Sequence, residues 1–115
     1  MHIESIKYML MVHDMPRAVR FYRDILGLQV AFESAEWTEL TFGSAVVALH
    51  GGGGGTYRKT GLSIQVKDIV SACREIEAGG GKIVLAPQTR PGEPIKLAEV
   101  MDTEGNAFSL TQYVG

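Results

Sequence analysis

Cysteine is almost absent from this chain: Cys73 stands alone, so neither an intrachain disulfide nor a cysteine-rich metal site can form. Histidine is scarce too, with only His2, His13 and His50. No block of one charge sign occurs; 11 basic and 13 acidic residues are dispersed along the chain for a net charge of -2. Such a chain lacks the electrostatic footprint of a nucleic-acid binder or of a protein bound to an anionic membrane. No stretch approaches the ~18 apolar residues of a membrane span, and "MHIESIKYMLMV" has no basic region ahead of a long apolar run. The expectation is a soluble protein of the cytoplasm. With 115 residues, 45% of them apolar, it should form one domain with an adequate core.

What the chain does have is a repeat. In "IKYMLMV", Tyr8, Leu10 and Val12 alternate with Lys7, Met9 and Met11, as in a strand with one buried face. Asp14 is placed to cap a helix, Pro16 fits its first turn, and Gly27 suits its end. "MPRAVRFYRDIL" therefore predicts a helix whose stripe Met15, Ala18, Val19, Tyr22, Ile25 and Leu26 needs a sheet to cover. The same grammar returns in "GLSIQV", Asp68, "IVSACREIEA" and Gly79 to Gly81. At an offset of 54 residues Val12 meets Val66, Asp14 meets Asp68, Ala18 meets Ala72 and Gly27 meets Gly81. Three β-like runs follow each helix: "LQVAFES", "WTELTF" and "AVVALH", then "KIVLA", "IKLAEVM" and "AFSLTQY".

Each half thus reads β-α-β-β-β. The fold expected is α+β: two tandem βαβββ modules forming a curved half-barrel sheet with the helices outside. Residues 1–115 make a single domain, with module 1 at about 1–50, a glycine linker at 51–60 and module 2 at about 61–115. One helix covers one sheet face, which leaves the concave face for a ligand. The five glycines 51–55 are not a phosphate loop: they end in Gly-Thr-Tyr-Arg and lead into a strand, whereas a Walker-type loop ends in Gly-Lys-Ser/Thr and leads into a helix.

"VHDMPRAVRFYRDILGLQV", "LSIQVKDIVSACREIEAGGG" and "VMDTEGNAFSL" together resemble the vicinal oxygen chelate superfamily, which includes glyoxalase I, extradiol dioxygenases, fosfomycin-modifying enzymes and bleomycin-binding resistance proteins. Metal-dependent members place four ligands on the concave face. Carried across by motif, those positions fall on Lys7, Ala48, Gly61 and Ser109, none of which is a normal metal ligand in this setting. The resemblance therefore implies a member without the usual metal, and the cofactor expectation is none. It also implies a homodimer, in some members with the half of one chain set against the other chain.

Alternation assigns the concave face Lys7, Met9, Met11, Trp37, Glu39, Thr41, Val46, Ala48 and His50 from the first half. From the second it assigns Ser63, Gln65, Leu97, Glu99, Met101, Ala107, Ser109 and Thr111. Methionine adapts to irregular ligands, tryptophan offers a flat stacking surface, and a few polar groups can orient a compound. Tyr57, Arg58 and Lys59 could close over it, or be exposed residues of a flexible linker. Candidate ligand-binding residues are thus Lys7, Met9, Met11, Trp37, Glu39, Thr41, His50, Tyr57, Arg58, Ser63, Gln65, Glu99, Met101 and Ser109. Candidates for catalysis are His50, Glu99 and Lys7. Plainer roles compete: Met as core filler, Trp37 as edge packing, Lys7, Glu39 and Glu99 as solvated charges, His50 as a structural residue. Cys73 lies on the second helix's apolar stripe and reads as core.

Three functions follow. The leading one is a metal-independent small-molecule binding protein that sequesters a drug or metabolite, its ligand aromatic or amphipathic. The second is a divergent lyase, isomerase or dioxygenase-related enzyme. The third is a dimeric interaction module with a filled pocket. Nucleic acid and membranes are not expected partners.

Overall fold

A computed structural model describes all residues, 1–115. The first module comprises β1 (Tyr8–Val12), α1 (Met15–Arg20), β2 (Gln29–Glu33), β3 (Trp37–Phe42) and β4 (Ala45–Gly51). The second comprises β5 (Arg58–Gln65), α2 (Ile69–Ala78), β6 (Lys82–Thr89), β7 (Ile95–Met101) and β8 (Asn106–Tyr113). Each forms one four-stranded sheet of the same order, β1-β4-β3-β2 and β5-β8-β7-β6. In both, the first strand of the module runs parallel to the last, and the other pairs are antiparallel. The duplication is therefore one of topology.

Local chemistry starts both helices as the sequence leads one to expect. Asp14 and Asp68 hold extended backbones, φ -120° and -137°, and accept from the amides of Arg17 and Ser71, each at 3.1 Å. The first helix departs from expectation after Arg20, where Phe21–Ile25 widen into a π-helical turn. Phe21 and Tyr22, adjacent and both essentially unexposed, sit there edge to face with ring centroids 5.2 Å apart.

One apolar core joins the modules. Leu10, Val12, Leu40 and Leu49 of the first sheet belong to the same cluster as Val19 and Tyr22, and as Ile69, Cys73, Ile76, Val100 and Phe108 of the second module. Burial pushes the Cys73 thiol up, away from the reactive thiolate, in keeping with a core residue. The Tyr8 hydroxyl accepts from the Gly61 amide, and Asn106 Nδ2 donates to the Met11 carbonyl at 2.8 Å, tying β1 to the second module.

The connection between modules is shorter than the expected linker: Gly51 is the last residue of β4, and Arg58 already pairs with Asn106 in β5. Nor does the glycine run hang free. Gly53 donates to the Val12 carbonyl at 2.9 Å, and a Cβ on Gly53 would lie 3.0 Å from the Val12 amide. Glycine is used here because two backbones approach closely. Opposite the run, Gly105 has φ +91°, and a Cβ there would fall 2.2 Å from the Thr56 carbonyl oxygen. Gly105→Ala should therefore cost about 1–2 kcal/mol from the backbone alone. Urea denaturation checks this; a loss beyond that figure would show that Thr56 does not yield to the added Cβ, and an unchanged midpoint would mean that residue 105 leaves the left-handed region without cost.

Candidate functional site

The face of each sheet turned away from the helices is open. Across the first sheet one row runs Met9, Ala48, Glu39, Phe32, and the next runs Met11, His50, Trp37. Met9 is 51% exposed and Phe32 56%. Lys7, just before β1, reaches over this surface to Glu39 with Nζ to Oε2 at 2.8 Å, and Trp37 Nε1 donates to the same oxygen at 2.8 Å. These donors, Lys7 foremost, hold the Glu39 carboxyl below its ordinary range. The Lys7 ammonium stands 6.0 Å from the Trp37 ring centroid, and the His50 ring meets the indole edge on at 5.9 Å between centroids. Lys7, Glu39, Trp37 and His50 thus form one cluster around an indole fixed at its nitrogen. His50 Nδ1 also lies 2.6 Å from the Gly51 carbonyl oxygen.

The second sheet repeats this layout. Its row runs Ser63, Ser109, Glu99, Leu85. Glu99 faces Ser109 as Glu39 faces Ala48, and it too has an aromatic donor, the Tyr57 hydroxyl at 3.3 Å. No cation pairs with Glu99. Gln65 and Ser63 are exposed on β5, Met101 and Thr41 half-buried at the row ends, and Arg58 lies exposed where β5 begins. Arg58 is a strand residue, its amide bonded to the Gly105 carbonyl at 2.7 Å, so only Tyr57 of the expected flap lies outside the sheet.

The structure gathers the first-module candidates together and the second-module candidates together. It does not bring the two groups to each other: no hydrogen bond or ion pair links them, and Lys7, Trp37, Glu39, His50 and Glu99 line none of the three main cavities, whereas Ser63 and Gln65 line one at the edge of β5. At the four positions where relatives in the resembled superfamily hold metal, the residues do not fit a metal. Lys7 is itself a cation engaged with Glu39, Ala48 and Gly61 have no side-chain donor, and the Ser109 hydroxyl is turned toward the Leu62 carbonyl at 3.5 Å.

Sequence reasoning passed over a second cluster, in the turn "DTEGN". Asp102 accepts from the Tyr22 hydroxyl at 2.6 Å and from the amides of Glu104 and Asn106. Glu104, with no exposed side-chain surface, takes the amides of His13 and Asp14, the Thr103 hydroxyl, and the Arg17 guanidinium at 2.8 Å. With no buried side-chain polar atom left unpaired, this is a lock between modules rather than a site. Its signal was an acidic turn following an apolar strand, which alone does not name its partner.

Residues 2–110 match the family model described as the Glyoxalase/Bleomycin resistance protein/Dioxygenase superfamily. A curated relative, the "Probable lactoylglutathione lyase" of Synechocystis sp., is 30% identical over 119 aligned positions, which cover 90% of this chain and 91% of the relative. Among solved structures, a member of the same superfamily from Sphaerobacter thermophilus superposes with a TM-score of 0.80 at 20% identity, covering 96% of this chain and 98% of that one. A genomically encoded fosfomycin resistance protein, FosX, from Listeria monocytogenes superposes with a TM-score of 0.78 at 14% identity, over 97% and 94%. At these identities the structural likenesses bear on the fold.

Proposed function

The chain belongs to the glyoxalase/bleomycin resistance protein/dioxygenase superfamily, and we propose that within it this protein is a metal-independent binder of a small organic compound, aromatic or amphipathic. The observation that carries this reading is the cluster on the open face of the first sheet. Where a metal centre would need converging carboxylates and imidazoles, Lys7 and Glu39 neutralise each other and hold Trp37 as a plate. A flat aromatic surface with a few polar groups binds by stacking and burial.

An open sheet face leaves a ligand half in water, whereas small-molecule sites bury about 70–90% of their ligands. The missing wall is supplied by a second copy: the first sheet of one chain faces the second sheet of the other, bringing Trp37 opposite Glu99. Exposed Met9 and Phe32 make that closure favourable. The protein acts in the cytoplasm in this reading; no helix is long and apolar enough to cross a membrane.

Untagged protein should contain only sub-stoichiometric nickel, zinc, manganese or iron by elemental analysis. Tightly held, stoichiometric metal would remove the basis of the proposal. A lyase reading is favoured by the name of the Synechocystis relative and by Glu99, a carboxylate free of any cation beside a potential substrate. In it Glu99 and His50 move protons and Lys7 polarises an oxygen. An assay for lactoylglutathione formation, with and without added nickel or zinc, should show no turnover. Turnover abolished by both Glu99→Gln and His50→Gln would establish the lyase instead.

A further inference from the structure

We propose a second small-molecule site, separate from the Trp37 face, in a cavity of about 520 Å³ between the modules that wraps the free edge of β5, from the helix side round to Ser63 and Gln65. Its ligand is the apolar chain of an aliphatic amphiphile whose head is uncharged or cationic.

The cavity lies where the duplication fails. In the second module the turn between β7 and β8 spans residues 102–105 and docks on the first helix through Asp102 and Glu104. Its counterpart between β3 and β4 is only Gly43 and Ser44, too short to dock on α2 in the same way. At the repeat spacing Tyr22, which reaches Asp102, corresponds to Ile76, which has no polar atom and no such turn to meet. The space left over is bounded by Leu26, Phe42 and Val47 from the first module and by Ile64, Ala72 and Ile76 from the second. It reaches the edge of β5, a strand with a neighbour on one side only.

Its size lies within the roughly 300–1,000 Å³ usual for small-molecule sites. Twelve of its 15 lining residues are apolar, against two of seven and two of eight in the other main cavities, so burial rather than polar recognition would drive binding. Glu75 is the one charged residue on its wall. A carboxylate head would be repelled there, and an ammonium or hydroxyl head accepted.

Isothermal titration of the intact protein with 1-hexanol, 1-octanol, 1-decanol, decylamine and decanoate tests this. Expected is saturable binding of one alcohol per chain, about fourfold tighter for each added methylene until the cavity is full. Decylamine should bind more tightly than decanoate, and the Trp37 emission should not change. Ala72→Phe should fill the cavity and remove binding with the melting temperature at or above that of the parent. Glu75→Lys should reverse the preference between amine and acid while keeping 1-decanol binding, and it carries the test if Ala72→Phe folds poorly. Unsaturable uptake, an unaltered head-group preference in Glu75→Lys, or loss of 1-decanol binding as the chain self-associates would overturn the proposal, the last by showing a second copy in the cavity.

Discussion

Replacing Glu104 by alanine should remove about 2–4 kcal/mol of folding stability, a large share of what a domain of this size has. The substitution takes from the amides of His13 and Asp14 the carboxylate they share; an unpaired buried donor costs about 1–3 kcal/mol, and these two, only partly buried, fall toward the lower end. It also releases the Arg17 guanidinium, bound through both Nε and Nη2. Arg17→Met should cost less, since Glu104 keeps its amides and the Thr103 hydroxyl. Denaturant titration of the three proteins measures both.

The same carboxylate sets an acid limb. Burial alone would raise the Glu104 carboxyl, but the Arg17 guanidinium, the Thr103 hydroxyl and the Asp14 amide together outweigh it and hold the group below its ordinary range. An acid depressed on folding contributes stability above its unfolded pKa and loses it as pH falls through the folded value. Asp102 has the opposite sign: burial pushes it up against four donated hydrogen bonds, so it favours the folded state more when protonated and offsets part of the acid loss. Glu104→Gln should therefore flatten the stability profile below about pH 5, as followed by unfolding at a series of acid pH values. A profile parallel to the parent's would assign the acid limb elsewhere.

Trp37→Ala should weaken the proposed ligand by about 2–4 kcal/mol, the loss expected for a central aromatic anchor, with folding little changed because the side chain is only half-buried. Calorimetry must read this variant, since Trp37 is the chain's single tryptophan. Glu39→Gln should be milder, because an amide oxygen still accepts from the indole while the pairing with Lys7 is lost. If a second copy completes each pocket, mixing Trp37→Ala chains with Ser109→Trp chains should restore one intact pocket per mixed dimer. Pockets built within one chain would recover nothing on mixing.

The fold was legible because its signals are local. Asp14 and Asp68 sit three residues before the amides they cap, and alternation along β1, β3 and β4 needs no distant partner. The open-face residues followed from the same alternation, since a period of two assigns faces once the core side is known. The contacts missed are those made across long stretches of chain. Glu104 meets Arg17 from 87 residues away and Tyr22 meets Asp102 from 80, distances at which neither charge nor aromaticity in the sequence names a partner. The five glycines read as slack because glycine serves flexibility and close approach equally, and only the position of Val12 beside Gly53 shows which. The π-helical turn at Phe21–Ile25 likewise depends on tertiary packing, its residues being ordinary helix formers in isolation.

The most direct measurement is titration of chelator-treated protein with a diverse set of aromatic compounds, followed by the fluorescence of Trp37. At least one compound should change the emission saturably, with the same affinity before and after nickel or zinc is added. Emission changes that occur only once metal is restored would contradict metal-independent binding at this face.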